Sequence, residues 1–156
     1  MASWIEVEGQ APELVALART YLDLRVHKTL ATLRRDGSPR ISATEIVWAE
    51  GELWLGSMWR ARKALDLRRD PRFALHGGSV DPDEGWTGDA KLAGRVEEVT
   101  DPERVAAIIG ERAPGPSHLF RADIAELSVV HLGEPADHLV IEAWHAGRGV
   151  SRRERR

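Results

Sequence analysis

Apolar and polar positions change period along this chain, and the changes outline its elements. In "APELVALARTYLDLR" (11–25), Leu14, Leu17, Ala18, Tyr21 and Leu22 recur at helical spacing, and Pro12 suits a first turn. An amphipathic helix is predicted there. From Lys28 the period shortens to two. "KTLATLRRDGSPRISATEIVWAEGELWLGS" reads as three strands, about 28–34, 39–48 and 52–57, with Asp36-Gly37 and Glu50-Gly51 as hairpin turns. Along the middle strand Arg40, Ser42 and Thr44 share one face, and Ile41, Ala43, Glu45 and Val47 the other.

The period lengthens again in "WRARKALDLRRD" (59–70), a short basic helix with Ala61, Ala64 and Leu65 as its apolar face, ended by Asp70-Pro71. "RFALHGG" (72–78) returns to strand, and "SVDPDEGWTG" (79–88) is turn-rich. "DAKLAGRVEEVT" (89–100) alternates as a long strand in which Gly94 marks a bulge or bend. Asp101-Pro102 fits an N-cap and a first helical position, opening a helix to about Glu111. "RAPGPSH" (112–118) reads as a loop. "FRADIAELSVVHL" (120–132) and "DHLVIEAWHA" (137–146) read as the last two strands, followed by a mobile basic tail. The links are too short for parallel crossovers, so the sheet is expected to be mainly antiparallel, and its apolar faces require a sandwich or a barrel.

Composition narrows the function classes. The 156 residues suffice for one domain with a substantial core, and the absence of Cys excludes disulfides, zinc–thiolate sites and cysteine nucleophiles. No apolar run approaches a membrane span. "MASWIEVEGQAPE" lacks the basic and apolar regions of a secretion signal, so a cytoplasmic protein is expected. The net charge of −3 argues against a whole-surface nucleic-acid binder. Against that acidic background, Arg60, Arg62, Lys63, Arg68, Arg69 and Arg72 crowd one stretch that holds only two carboxylates, Asp66 and Asp70. The cluster is either a solvated helix face with pairs such as Arg62–Asp66 or an anion site. The Arg40/Ser42/Thr44 face has the same two readings, solvent side or ligand side.

"DGSPRISATEIVW", "ELWLGSMWRARKALDLRRDPRFAL" and "DAKLAGRVEEV" together resemble the FMN-binding split-barrel family of pyridoxamine 5'-phosphate oxidase-like proteins, over about Val26 to Gly149. The middle piece is the most specific: a strand ending in Ser57, a loop, the basic pair Arg62-Lys63, then Leu67 and Asp70-Pro71-Arg72. The resemblance implies a mainly β, antiparallel split barrel of six to seven strands with two to three short helices. Residues 1–149 would form this single domain, and 150–156 a basic tail. It also implies a homodimer with FMN, or in some branches the deazaflavin F420, in each groove between subunits. Cofactor contacts are then expected from Arg40, Ile41, Ser42, Gly56, Ser57, Met58, Arg62 and Lys63, with Asp89 toward the ring and Trp144, followed by Arg148, approaching from the C-terminal side. A phosphate at the start of the basic helix would account for cations where the macrodipole disfavours them.

Two departures limit the carry-over. "GRGVSRRERR" has no His, so the Arg-x-His substrate motif of the true oxidases is missing, and Asp66 stands where many relatives have Asn. The six His lack metal-ligand spacing; His76 is the one candidate if the cofactor were haem, as in some relatives. The Trp residues are expected in the core or at a dimer interface, and Arg68, Arg69 and Arg72 at the surface. The expected function is hydride transfer through FMN or F420, with the cofactor carrying the hydride and no side chain assigned as catalytic. The alternatives are a non-catalytic binder of flavin, F420 or tetrapyrrole, and a small interaction or nucleic-acid module built on the basic helix.

Overall fold

The structure is a computed structural model that describes residues 1–113 and 115–156. Its strands are β1 (Lys28–Leu33), β2 (Pro39–Thr44), β3 (Ile46–Ala49), β4 (Glu52–Met58), β5 (Arg72–His76), β6 (Gly88–Val99), β7 (Ser117–Leu132), β8 (Leu139–His145) and β9 (Gly149–Arg155). The helices are α1 (Trp4–Gln10), α2 (Pro12–Leu22), α3 (Arg62–Arg69) and α4 (Pro102–Ile109).

All strand pairings are antiparallel, in the order β2-β1-β5-β6-β7-β4-β3. The path begins on β2 and ends on β3, and only Glu45 separates these two in the chain. The segment predicted as one strand therefore changes partners at Glu45, and the sheet returns to its starting segment. This is how a short antiparallel sheet becomes a split barrel. The mainly β, antiparallel expectation holds. The number of strands exceeds the expected six to seven because the middle strand divides and the tail adds one. The number of helices exceeds two to three because of α1. The turns work as predicted: Glu50 and Gly51 both have positive φ (55° and 73°), as a two-residue hairpin turn requires.

The long strand β7 is shared. Its first part (117–121) pairs β4, its last part (126–132) pairs β8, and β6 runs beside both. The gap between β4 and β8 is filled by the chain start, where Ala2 exchanges backbone hydrogen bonds with Ile124 at 2.9 and 2.7 Å. Gly94 sits at the predicted irregularity. Register shifts between Ala93 and Gly94, and a Cβ on Gly94 would lie 1.9 Å from the Asp123 carbonyl oxygen.

The helix predicted at 11–25 is α2, which starts at Pro12 and packs against β6 and β7. A helix ahead of it, α1, was not predicted: it is only seven residues long, and Pro12 forces Ala11 out of helical geometry (φ −143°, ψ 60°). The Glu6 carboxylate accepts from the Ser3 N–H and hydroxyl at 2.7 and 2.8 Å, and Trp4 and Val7 bury the inner face. The expected mobile tail is also different: residues 149–155 are β9, paired along their length with β8. The main core runs from α1 and α2 through the barrel, with Leu30, Leu55, Leu75, Leu92, Ile124 and Leu127 among its buried side chains. A second cluster of Trp54, Ile108, Ile109 and Leu119 lies under α4. No helix among the described residues is long and apolar enough to cross a membrane.

Candidate functional site

The basic stretch folds in two parts. Arg60 has a left-handed backbone (φ 58°), which stops the predicted helix from starting at Trp59. The helix α3 begins at Arg62, so Arg62 and Lys63 open its first turn and Arg60 lies in the loop before it. The inner face also differs from the prediction: Ala64, Asp66 and Leu67 are buried, while Leu65 is exposed.

Burial of Asp66 is possible because three donors from different elements satisfy it. Thr32 on β1 donates its hydroxyl at 2.9 Å, Arg40 on β2 its Nε at 2.6 Å, and Arg69 its Nη2 at 3.1 Å. Burial opposes ionisation of Asp66, but these hydrogen bonds outweigh it and hold the carboxyl below the usual aspartate range. The Arg62–Asp66 pair of the solvated-face alternative is not formed; Asp66 pairs with Arg40 and Arg69 instead. Arg40, Ser42 and Thr44 turn toward α3 and the interior, which removes the solvent-face reading of that strand. Ile41 points the other way and is 73% exposed.

Between α3 and the β1–β2 hairpin lies an open cleft of about 810 Å³ lined by Arg34, Arg35, Arg40, Arg62, Arg68 and Arg69, with Asp36, Leu65 and Asp66. Its acids are already engaged. Asp36 accepts from the Ser38 N–H and hydroxyl in the hairpin turn, and Asp66 is held by Arg40 and Arg69. Among the described residues Arg34, Arg35 and Arg62 have no carboxylate partner within ion-pair distance, so the cleft keeps a surplus of positive charge. Lys63 lies beside it on the helix start and donates to the Ala43 carbonyl at 2.7 Å. Burial lowers its pKa, a shift that an anion bound alongside would oppose.

The remaining predicted residues divide. Ser57 and Gly56 are half-buried near the end of β4, and Met58 beyond them is 80% exposed. Asp89 does not line the cleft: it accepts a short hydrogen bond from the Ser79 hydroxyl and one of 3.1 Å from Trp86 Nε1, tying down the 79–88 loop. Trp144, expected to approach the cofactor, is buried in this chain, 1% exposed, with Nε1 donating to Gln10 Oε1 at 3.1 Å. Its alternation on β8 turns it inward, leaving Arg148 alone in the exposed turn. The His76 ring has Nδ1 2.6 Å from the Gly77 carbonyl and is not in the cleft. Among the described residues no three His, Cys, Asp or Glu side chains cluster as a metal site.

Arg68, Arg69 and Arg72 are more engaged than free surface residues would be. Arg68 Nε donates to Glu98 at 2.6 Å, and Arg72 forks onto Asp70, holding that carboxyl down to about 2. Sequence reasoning missed Arg34 and Arg35, which flank the hairpin turn and face the helix only once the barrel closes. It also missed His118 and Glu98, which meet on neighbouring strands.

The cleft suits a phosphorylated ligand: several guanidinium groups line it, and Arg62 brings it to the first turn of α3, where backbone N–H groups lack helical partners. The sequence profile described as "Pyridoxamine 5'-phosphate oxidase" matches residues 18–131. The chain is similar in structure to a conserved hypothetical protein of Mycobacterium tuberculosis (TM-score 0.55, 25% identity, 70% of this chain and 79% of that one). It is also similar to a Clostridium acetobutylicum protein described as related to general stress protein 26 of the pyridoxinephosphate oxidase family (0.58, 17%, 76% and 87%). A third similar structure is a pyridoxamine 5'-phosphate oxidase-related, FMN-binding protein of Nostoc punctiforme (0.58, 15%, 100% and 98%). No curated protein matches.

Proposed function

The chain belongs to the pyridoxamine 5'-phosphate oxidase family, and from that premise we propose that it is a cytoplasmic, homodimeric oxidoreductase that binds FMN at the start of α3. The observation that carries the proposal is Arg62, without a carboxylate partner among the described residues, beside Lys63 and opening on an arginine-lined cleft. Arg62, Lys63 and the free guanidinium nitrogens of Arg40 would hold the phosphate, with Ser57, Ser42 and the backbone of Gly56 and Met58 nearby for the ribityl chain. The FMN-binding description of the Nostoc punctiforme protein supports the choice of ligand. Bound flavin supplies the hydride chemistry.

The protein's own part is positioning. Asp66 fixes the Arg40 guanidinium through Nε and leaves its outer nitrogens for the anion. The Ala43 carbonyl orients the Lys63 ammonium toward the end of β2. These contacts set the phosphate-binding groups before the ligand arrives, which lowers the ordering cost of binding. Asp89 is tied to Ser79 and Trp86, and no side chain need act as an acid or base, since solvent can deliver the proton.

One observation favours a second ligand. The cleft continues along α3 past the helix start to Arg34, Arg35 and Arg69, more cations than a single phosphate occupies. F420, whose tail bears further carboxylates, would use them. Titration of the purified protein with FMN, riboflavin and F420, followed by fluorescence, tests both. Binding of FMN well above riboflavin supports the phosphate site, and preference for F420 supports the longer anion. Binding without hydride turnover would make the protein a carrier, and no binding of any of the three would overturn the proposal.

A further inference from the structure

The loop between β4 and α3 is held by a closed ring of contacts that meets the cleft only at Arg68. Arg60, at its left-handed position, donates its backbone N–H to His118 Nε2 at 3.1 Å. An N–H donor fixes Nε2 as the unprotonated nitrogen, so Nδ1 carries the proton and donates to Glu98 Oε1 at 2.7 Å. The other Glu98 oxygen accepts from Arg68 Nε at 2.6 Å, and the Arg68 guanidinium lies 5.9 Å from the ring centre of Trp59. Trp59 closes the ring by stacking on His118, with ring centres 4.6 Å apart and planes 9° from parallel. The His118 side chain is fully buried, and Phe120 stacks at 6.0 Å. A buried imidazole in one defined tautomer thus grips the residue that decides where α3 begins.

We infer that His118 is a positioning residue for the phosphate site: by accepting the Arg60 N–H it fixes the loop in the conformation that aims Arg62 and Lys63 at the ligand. This rests on the reading of α3 as the phosphate-binding helix. The His118 nitrogen is the side-chain acceptor that ties the Arg60 N–H to the barrel, so its loss leaves that amide to solvent and frees the left-handed turn to relax. Arg62 lies two residues on and moves with it. His118 does not line the cleft.

Two variants separate this role from a merely structural one. His118→Phe keeps a ring between Trp59 and Phe120 and removes the acceptor; His118→Gln keeps an acceptor at the same reach. Affinities for FMN and riboflavin, hydrogen exchange of the Arg60 amide, and the thermal midpoint are measured for each. H118F is expected to weaken FMN about tenfold with riboflavin unchanged, and to speed Arg60 exchange about tenfold or more, with H118Q recovering much of both. Unchanged FMN affinity in H118F overturns the inference. So does a parallel loss of FMN and riboflavin with a fallen midpoint, or a failure of H118Q to recover. If the wild-type protein binds no cofactor, the flavin reading falls, and the role of His118 at a phosphate site falls with it. Arg60 exchange then reports separately on whether His118 holds the loop.

Discussion

Two regions of this chain are rich in arginine and fold to different ends. In α3 and the facing hairpin, six arginines converge on one concave cleft, and the carboxylates among them are already engaged by the fold. In β9, Arg152, Arg153 and Arg155 alternate across both faces of an exposed strand and meet water. The tail's ion pairs are peripheral: Arg152 to Glu154 at 3.1 Å and Arg156 to Asp137 at 3.8 Å. A count of charges does not separate the two. Concavity and a deficit of free carboxylates do, because a walled cleft focuses the field that an exposed strand dissipates.

The sharpest way to break the contrast is at its one buried carboxylate. Asp66→Ala leaves Arg40, Arg69 and Thr32 without their shared acceptor. Breaking such a pair is expected to cost about 3 kcal/mol, read as a lower denaturant midpoint. Because the folded Asp66 ionises below the ordinary aspartate range, its contribution is complete at neutral pH and is lost as pH falls through the lowered value. Wild-type stability should therefore decline below pH about 4, and Asp66→Asn should flatten that part of the profile. A D66A midpoint equal to wild type would show that the arginines organise themselves without it.

That carboxylate also marks the limit of what sequence could reveal. The barrel strands follow from alternation and turn residues, since period-two patterning and a pair of positive-φ turns are local signals. The bulge at Gly94 was legible for the same reason. Asp66 was not, because its partners Thr32 and Arg40 lie 34 and 26 residues away and meet it only after the barrel closes. The strand β9 escaped because it carries no apolar alternation: main-chain hydrogen bonds to β8 hold it, and these have no side-chain signature. Trp144 was ambiguous for the opposite reason: its residue type suits both core and ligand, and its burial follows from the closed barrel. The motif pointed to Arg62-Lys63; which cations stand near them was a question of tertiary structure.

A smaller effect should separate the two arginine regions in binding. Arg62→Ala with Lys63→Ala removes two charge-assisted contacts to a phosphate and should weaken FMN at least about tenfold, with riboflavin nearly unchanged. Arg152→Ala with Arg153→Ala removes as many positive charges from the tail and should leave FMN affinity within about twofold, since screened surface charge acts weakly at a distance. Equal losses from both pairs in a fluorescence titration would mean that net charge, not the cleft, attracts the ligand.

The smallest expected effect lies in the tail itself. Glu154 accepts from Arg152, lies 4.0 Å from both Arg156 and His138, and remains exposed. Exposed pairs of this kind gain little over hydration and must order long side chains, so Glu154→Ala should change stability by no more than about 0.5 kcal/mol. The strand should survive, because its bonds to β8 are main-chain. Hydrogen exchange across residues 149–155 gives the decisive reading. Protection retained in E154A places the stability of β9 in its backbone ladder. Protection lost would make the tail's charges structural after all, and would erase the contrast with α3, where a single carboxylate holds three elements together.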